Sequence, residues 1–142
     1  VSPSHFALPR NAAAGVDRQR IALLMAVLHK RVGLELEDSD VFVNITGGVR
    51  VDDPGIDLGV AVAITSNHRD IAINPCTVLI GEVGLGGEVR PVTHIEKRLR
   101  EAEKLGFTRA VVPEYNLKGL ELVGNIDLVG VKDLYEALNI LM

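Results

Sequence analysis

Three carboxylates crowd one short stretch of this chain. Asp52, Asp53 and Asp57 lie in VRVDDPGIDLGVAVAI, from Val49 to Ile64. General acid–base chemistry would need two of them to converge on a substrate. The Pro-Gly step and the apolar run after it have a second meaning. They are the pattern of a helix start delivered into a protein interior, where outward-pointing N–H groups favour an anion or an oxyanion. Yet no Ser, Cys, Thr, Lys or His stands between Val49 and Ile64. The local rules of helix starts account for all three carboxylates. Asp53 is the cap, Pro54 takes the first helical position, Asp57 favours the positive helix end, and Asp52 is solvated.

Other candidate groups are fewer. Thr65 and Ser66 fall near the end of the same helix, away from its N–H-rich start, so a nucleophile there lacks an oxyanion site. His5, His29, His68 and His94 are scattered, and Cys76 is the single cysteine, so no metal-ligand spacing appears. The loop Gly84 to Gly87 has neither the Gly-Lys-Ser/Thr ending of a P-loop nor the surroundings of a dinucleotide site, and its glycines serve a turn. In THIEKRLREAEKLG, Thr93 and Glu96 have the spacing of a capping box. At about 100° per residue, Lys97, Arg100 and Lys104 share one side of that helix. They suit phosphate contacts. They equally suit a solvated face with i,i+4 pairs such as Glu96 with Arg100.

These groups need elements to hold them. Residues 1–16 read as an extended entry arm, and residues 17–142 as one domain. Asp17 caps a helix to about Val32, with Ile21, Leu24, Met25, Leu28 and Val32 inward and Gly33 as the stop. Val41 to Thr46 alternates as a strand that resumes over Val49 to Val51. The helix from Pro54 to about Asn67 is apolar on most sides and belongs at the centre. TVLIGEVGLGGEVRPV reads as two strands around Gly84 to Gly87. A helix from Thr93 to about Leu105 points Ile95, Leu99, Ala102 and Leu105 inward. A strand over Ala110 to Val112, another over Ile126 to Val131, and a helix over Lys132 to Leu141 complete an α/β or α+β fold.

The bulk properties agree with a compact domain. The 142 residues are 47% apolar with a net charge of -4, enough for a core and unlike a disordered chain. No apolar run approaches a membrane span. One cysteine fits a reducing compartment. The start, Val1-Ser2-Pro3, reads as a cut from a longer chain.

Several ordered blocks carry a family resemblance: VFVNITGGVRVDDPGIDLGVAVAI, then GEVGLGGEVRPVTHIEKRLREAEKLGFTRAVVP, then NLKGLE, together with SPSHFALPRNAAAGVDRQRIALLMAVLHKR. They resemble the C-terminal, Lon-protease-like domain of the bacterial RadA (Sms) family of DNA-repair ATPases. The resemblance implies the Lon proteolytic-domain fold (ribosomal S5 domain 2-like), a mixed sheet with packed helices. In active Lon proteases a Ser opens the buried helix, and a Lys after the later hairpin completes a Ser–Lys dyad. The Lys must be neutral to take the serine proton. On this chain the two positions are Gly55 and Glu96, so both halves of the dyad are absent and no enzyme activity is expected of it.

The resemblance further implies a cytoplasmic homo-hexameric ring. Such a ring acts on single-stranded or branched DNA in homologous recombination and recombinational repair, in the pathway of the RecA recombinase, away from membranes. ATP, Mg and Zn belong to the ATPase core and zinc finger of such a parent helicase, and no cofactor is expected here. Charge and location give a candidate DNA-contacting set: Arg50, Arg90, Lys97, Arg98, Arg100 and Lys104. Two other readings stand beside this one. One is a pure oligomerisation module. The other is a cryptic Ser–Lys peptidase using Ser66 or Thr65 with Lys97.

Overall fold

A computed structural model of the chain describes residues 18–34, 53–120 and 124–142. The entry arm, Asp17, the strand expected over Val41 to Val51, Arg50 and Asp52 lie outside them. The first described element is α1, Arg18–Val27, which continues as a wider π turn over Leu28–Val32. Ile21, Leu24, Val27 and Leu28 are its buried residues. Gly33 ends it in the left-handed region (φ 83°), with its N–H donating to the Leu28 carbonyl.

The central helix begins as a short 3-10 turn, Pro54–Ile56, and becomes α2, Asp57–Arg69. Leu58, Val60, Ala61, Val62 and Ile64 are all buried, as a helix that is apolar on most sides requires. It runs two residues beyond Asn67, and Asp70 closes it in a left-handed conformation (φ 55°).

Three parallel strands form the sheet. They are β1 (Thr77–Leu79), β4 (Arg109–Pro113) and β5 (Asp127–Val131), in the order β1-β4-β5. A separate antiparallel hairpin pairs β2 (Glu82–Val83) with β3 (Val89–Arg90). The hairpin expected around Gly84 to Gly87 is therefore present, but its first strand is divided. Residues 77–79 join the parallel sheet, and the chain then turns at Ile80 and Gly81. Gly81 suits that turn, because a Cβ on it would lie 2.7 Å from Cγ1 of Val89.

Helix α3 spans Ile95–Lys104 and α4 spans Leu134–Leu141. The expected Thr93–Glu96 capping box does not form. His94 precedes α3 with φ 57°, and no side chain caps the helix start. Leu105 is also not inward, being 77% exposed. The reason is the helix end. The Gly106 N–H donates to the Glu103 carbonyl and the Phe107 N–H to the Ala102 carbonyl, at 3.0 and 3.1 Å. That is a Schellman closure, with Gly106 at φ 98°. It turns Leu105 outward and brings Phe107 against the core. Helix α4 starts two residues later than expected, capped by Asp133, whose carboxylate accepts from the Glu136 N–H at 2.8 Å.

The sheet separates two apolar clusters. Val111 and Val131 join residues of α1, α2, the hairpin and α4 on one side. Ala110 and Val112 join Leu99 and Ala102 of α3 on the other. The alternation along β4 is the two-residue period of a strand buried on both faces. Among the described residues, no helix is long and apolar enough to cross a membrane.

Candidate functional site

The start of α2 is built as its sequence requires. The Asp53 carboxylate accepts from the Gly55 N–H at 2.9 Å, with Pro54 at the first turn. The following N–H groups are also taken. Ile56 N–H donates to the Asp53 carbonyl at 3.3 Å, and Leu58 N–H to the Gly81 carbonyl at 3.0 Å. Asp57 N–H donates to the Pro54 carbonyl. The Gly55 carbonyl in turn accepts from Gly81 N–H at 3.0 Å. An oxyanion site needs donors aimed at a place where charge develops. Here the donors of the first turn point at main-chain and carboxylate oxygens of the protein itself.

Two arginines hold the carboxylates on either side of Gly55 in sequence, and Arg20 also lies 3.8 Å from Glu82. Arg98 of α3 donates from Nη1 and Nη2 to Asp53, at 2.8 and 3.1 Å, and from Nε to the Thr93 carbonyl at 2.8 Å. Arg20 of α1 donates from Nε to Asp57 at 2.8 Å and also from Nη2. The Asp57 side chain is 0% exposed and accepts as well from the Val83 N–H at 3.1 Å. Such paired, charge-assisted forks make a buried carboxylate tolerable. Asp57 does more than favour a helix dipole, because it ties α1, α2 and the hairpin together.

Arg98 also occupies the space a side chain at Gly55 would need. A Cβ there would lie 2.5 Å from Nη1 and 3.0 Å from Cζ of Arg98. The α3 residue that reaches Gly55 is thus Arg98. Glu96 lies 3.9 Å from Arg100 in an i,i+4 pair. Thr65 donates its hydroxyl to the Ala61 carbonyl at 2.9 Å, and Ser66 donates its own to the Ile71 carbonyl.

The glycine loop is filled by a carboxylate. Glu88 accepts from the Gly86 N–H at 3.0 Å, while Gly84 N–H donates to the Glu88 carbonyl at 2.9 Å. Arg90 donates to the same Glu88 side chain from Nε and Nη2, at 3.0 and 2.8 Å. Glu88 is held below the ordinary carboxylate value, first by a hydrogen bond from its own main-chain N–H and then by Arg90. A negative side chain on the loop N–H groups is the opposite of a phosphate cradle.

The candidate basic residues divide. Lys97, Arg100 and Lys104 are exposed on the outer side of α3, opposite buried Leu99 and Ala102. Arg98 turns inward to Asp53. Arg90 is exposed on the hairpin with Glu88. The Lys118 ammonium lies 5.0 Å from the centre of the Tyr115 ring.

Residues 6–116 match the family model described as subunit ChlI of Mg-chelatase. The chain is 51% identical over 140 residues to a DNA repair protein RadA of Halalkalibacterium halodurans, covering 99% of this chain and 31% of that protein. It is 49% identical over 138 residues to the DNA repair protein RadA of Bacillus subtilis, covering 97% and 30%. A third relative, the DNA repair protein RadA of Streptococcus pyogenes serotype M1, is 44% identical over 139 residues, covering 98% and 31%. The chain belongs to the ChlI-type family, in its RadA branch. It spans about a third of the length of these curated relatives. Among the described residues of this RadA-type chain, no group of three or more His, Cys, Asp or Glu is placed to hold a metal.

Arg20 and Asn116 were not legible as site residues, and Arg98 was legible only as a candidate DNA contact. Arg20 and Arg98 find their carboxylates 37 and 45 residues away in sequence. For Arg98 one signal was available, since one residue along a helix turns a side chain about 100° off the Lys97 side. Asn116 clips the segment before α3. Its amide accepts from the Val92 N–H at 2.9 Å and donates to the Val92 carbonyl at 3.1 Å. Nothing in the local sequence announces that contact.

Proposed function

We propose that the chain is a non-proteolytic assembly and DNA-contact domain of a RadA-type DNA-repair ATPase. In the full-length protein it would support a homo-hexameric ring on single-stranded or branched DNA during recombinational repair, within the RecA pathway. The carrying observation is the seal at the α2 start. Gly55 has no nucleophile, its neighbouring N–H groups are occupied, and Arg98 covers it. A framework that keeps the protease helix start while closing it has another use than peptide hydrolysis. The names of the relatives supply the DNA-repair setting.

The DNA face we propose is the outer side of α3, Lys97, Arg100 and Lys104, with Arg90 of the hairpin as a further contact, and Arg50, outside the described residues, is a candidate on its charge alone. Arg98 supports it from within by holding α3 to the α2 start. ATP, Mg and Zn would act in the rest of the protein, and the compartment would be the cytoplasm. Charge reversal of Lys97, Arg100 and Lys104 in the full-length protein tests the face. The reading expects single-stranded DNA affinity to fall at least tenfold with the ring intact, since phosphate contacts dominate such binding. Unchanged affinity would leave a pure oligomerisation module as the better account.

A further inference from the structure

We infer that Tyr115 and Lys118 form a base-stacking element for single-stranded nucleic acid at the C-terminal edge of the parallel sheet. This rests on the DNA-contact reading above and adds a different kind of contact to it. Tyr115 sits in the short 3-10 turn Glu114–Leu117 that follows β4. Tyr115 is 64% exposed, a large apolar surface with a polar tip left in solvent. The turn that presents it is fixed from several sides. Asn116 is clipped to Val92 by both amide atoms. Leu117 packs into the cluster under α3 and lies against Gly130 of β5, where a Cβ would be 2.7 Å from its Cδ1. The Lys118 N–H closes the turn on the Tyr115 carbonyl at 3.3 Å.

The surroundings supply charge for a backbone. The Lys118 ammonium lies over one face of the ring, 5.0 Å from its centre, and Lys132 is exposed nearby, in a loose pair with Glu114 at 3.9 Å. Val92, which Asn116 holds, lies between Arg90 and the first turn of α3 that carries Lys97. The turn that carries the ring is therefore joined, through Asn116, to the strip of chain between the hairpin cation and the basic helix face. A rigidly presented aromatic with cations beside it is the physical device for holding unpaired bases without reading their sequence.

The test uses the full-length protein with a fluorescent oligothymidine, with ring size followed by light scattering. Tyr115→Ala is expected to weaken binding roughly 5- to 100-fold, the range of one lost aromatic–base stack. Tyr115→Phe should bind like the parent, and the slope of log affinity against log salt should not change for either, because stacking releases no counterions. Lys118→Ala should instead lower that slope by somewhat under one. If Tyr115→Ala binds normally while charge reversal of Lys97, Arg100 and Lys104 abolishes binding, the stacking element is wrong and the basic face stands. If neither variant changes affinity, the DNA-contact reading fails with it. If Tyr115→Ala loses the ring and DNA affinity together, Tyr115 belongs to a protein–protein contact and the inference is overturned.

Discussion

Arg98 reaches from α3 to Asp53, with its Nη1 and Nη2 at 2.8 and 3.1 Å from the two carboxylate oxygens, and covers Gly55 as it does so. One side chain thus joins two elements far apart in sequence and fills the space that a nucleophile at position 55 would enter. Both partners are about three-quarters buried, where a bidentate pair is worth more than a surface one.

Gly55→Ser tests that relationship. The new side chain meets the Arg98 guanidinium, which must withdraw and loosen its bonds to Asp53. The expected loss of stability is up to about 1.5–3 kcal/mol, the range for hydrogen bonds to charged groups. In an Arg98→Ala background the same serine should cost much less, giving a coupling of about 1 kcal/mol or more in a double-mutant cycle. Urea unfolding of the four proteins measures it, and additive losses would mean that the two positions do not interact. Gly55→Ser should also remain unlabelled by a serine-reactive probe, because among the described residues the N–H groups of the first turn are already taken by protein oxygens.

Asp57 is the more severe position. Its side chain is fully buried on Arg20 and the Val83 N–H. Asp57→Ala removes the carboxylate that Arg20 and the Val83 N–H share, with Glu82 still 3.8 Å from Arg20, at a cost of about 3 kcal/mol. Replacing both members, Asp57→Leu with Arg20→Met, should recover most of that loss. A double variant as unstable as the single one would show that the pair is not the reason.

The glycine loop predicts a pH dependence. Glu88 is held below its ordinary value of 4.5 in the folded chain, chiefly by its own N–H and by Arg90. A lowered carboxylate contributes stability that is present above its unfolded value and is lost as pH falls through the folded one. Glu88→Gln should therefore be less stable than the parent near pH 7, and the gap should narrow below about pH 4. A gap that stayed constant from pH 7 to pH 3 would remove the ionised carboxylate from the account.

How far the sequence carried depended on distance along the chain. The Asp53 cap and the Pro54 start were legible because a helix start is a local matter. The burial of α2 followed from its composition. Leu105 misled, since its apolar character fits a core position while Gly106 and Phe107 set the actual turn. The division of the first hairpin strand depended on how closely Gly81 passes Val89, a contact between separate elements. The two arginine forks were illegible for the same reason. Counting cations placed Arg98 with Lys97 and Arg100, and only its partner in α2 distinguishes it from them.

The proposed DNA face is the outer side of α3, opposite the arginine that covers Gly55. The most direct measurement is the affinity of the full-length protein for single-stranded DNA across a range of salt. The parent should be compared with the Lys97→Ala, Arg100→Ala, Lys104→Ala triple variant. Each phosphate contact on a single strand contributes about −0.7 to the slope of log affinity against log salt. The account predicts that the triple variant keeps its ring and loses about 2 from the magnitude of that slope. An unchanged slope with unchanged affinity would contradict it.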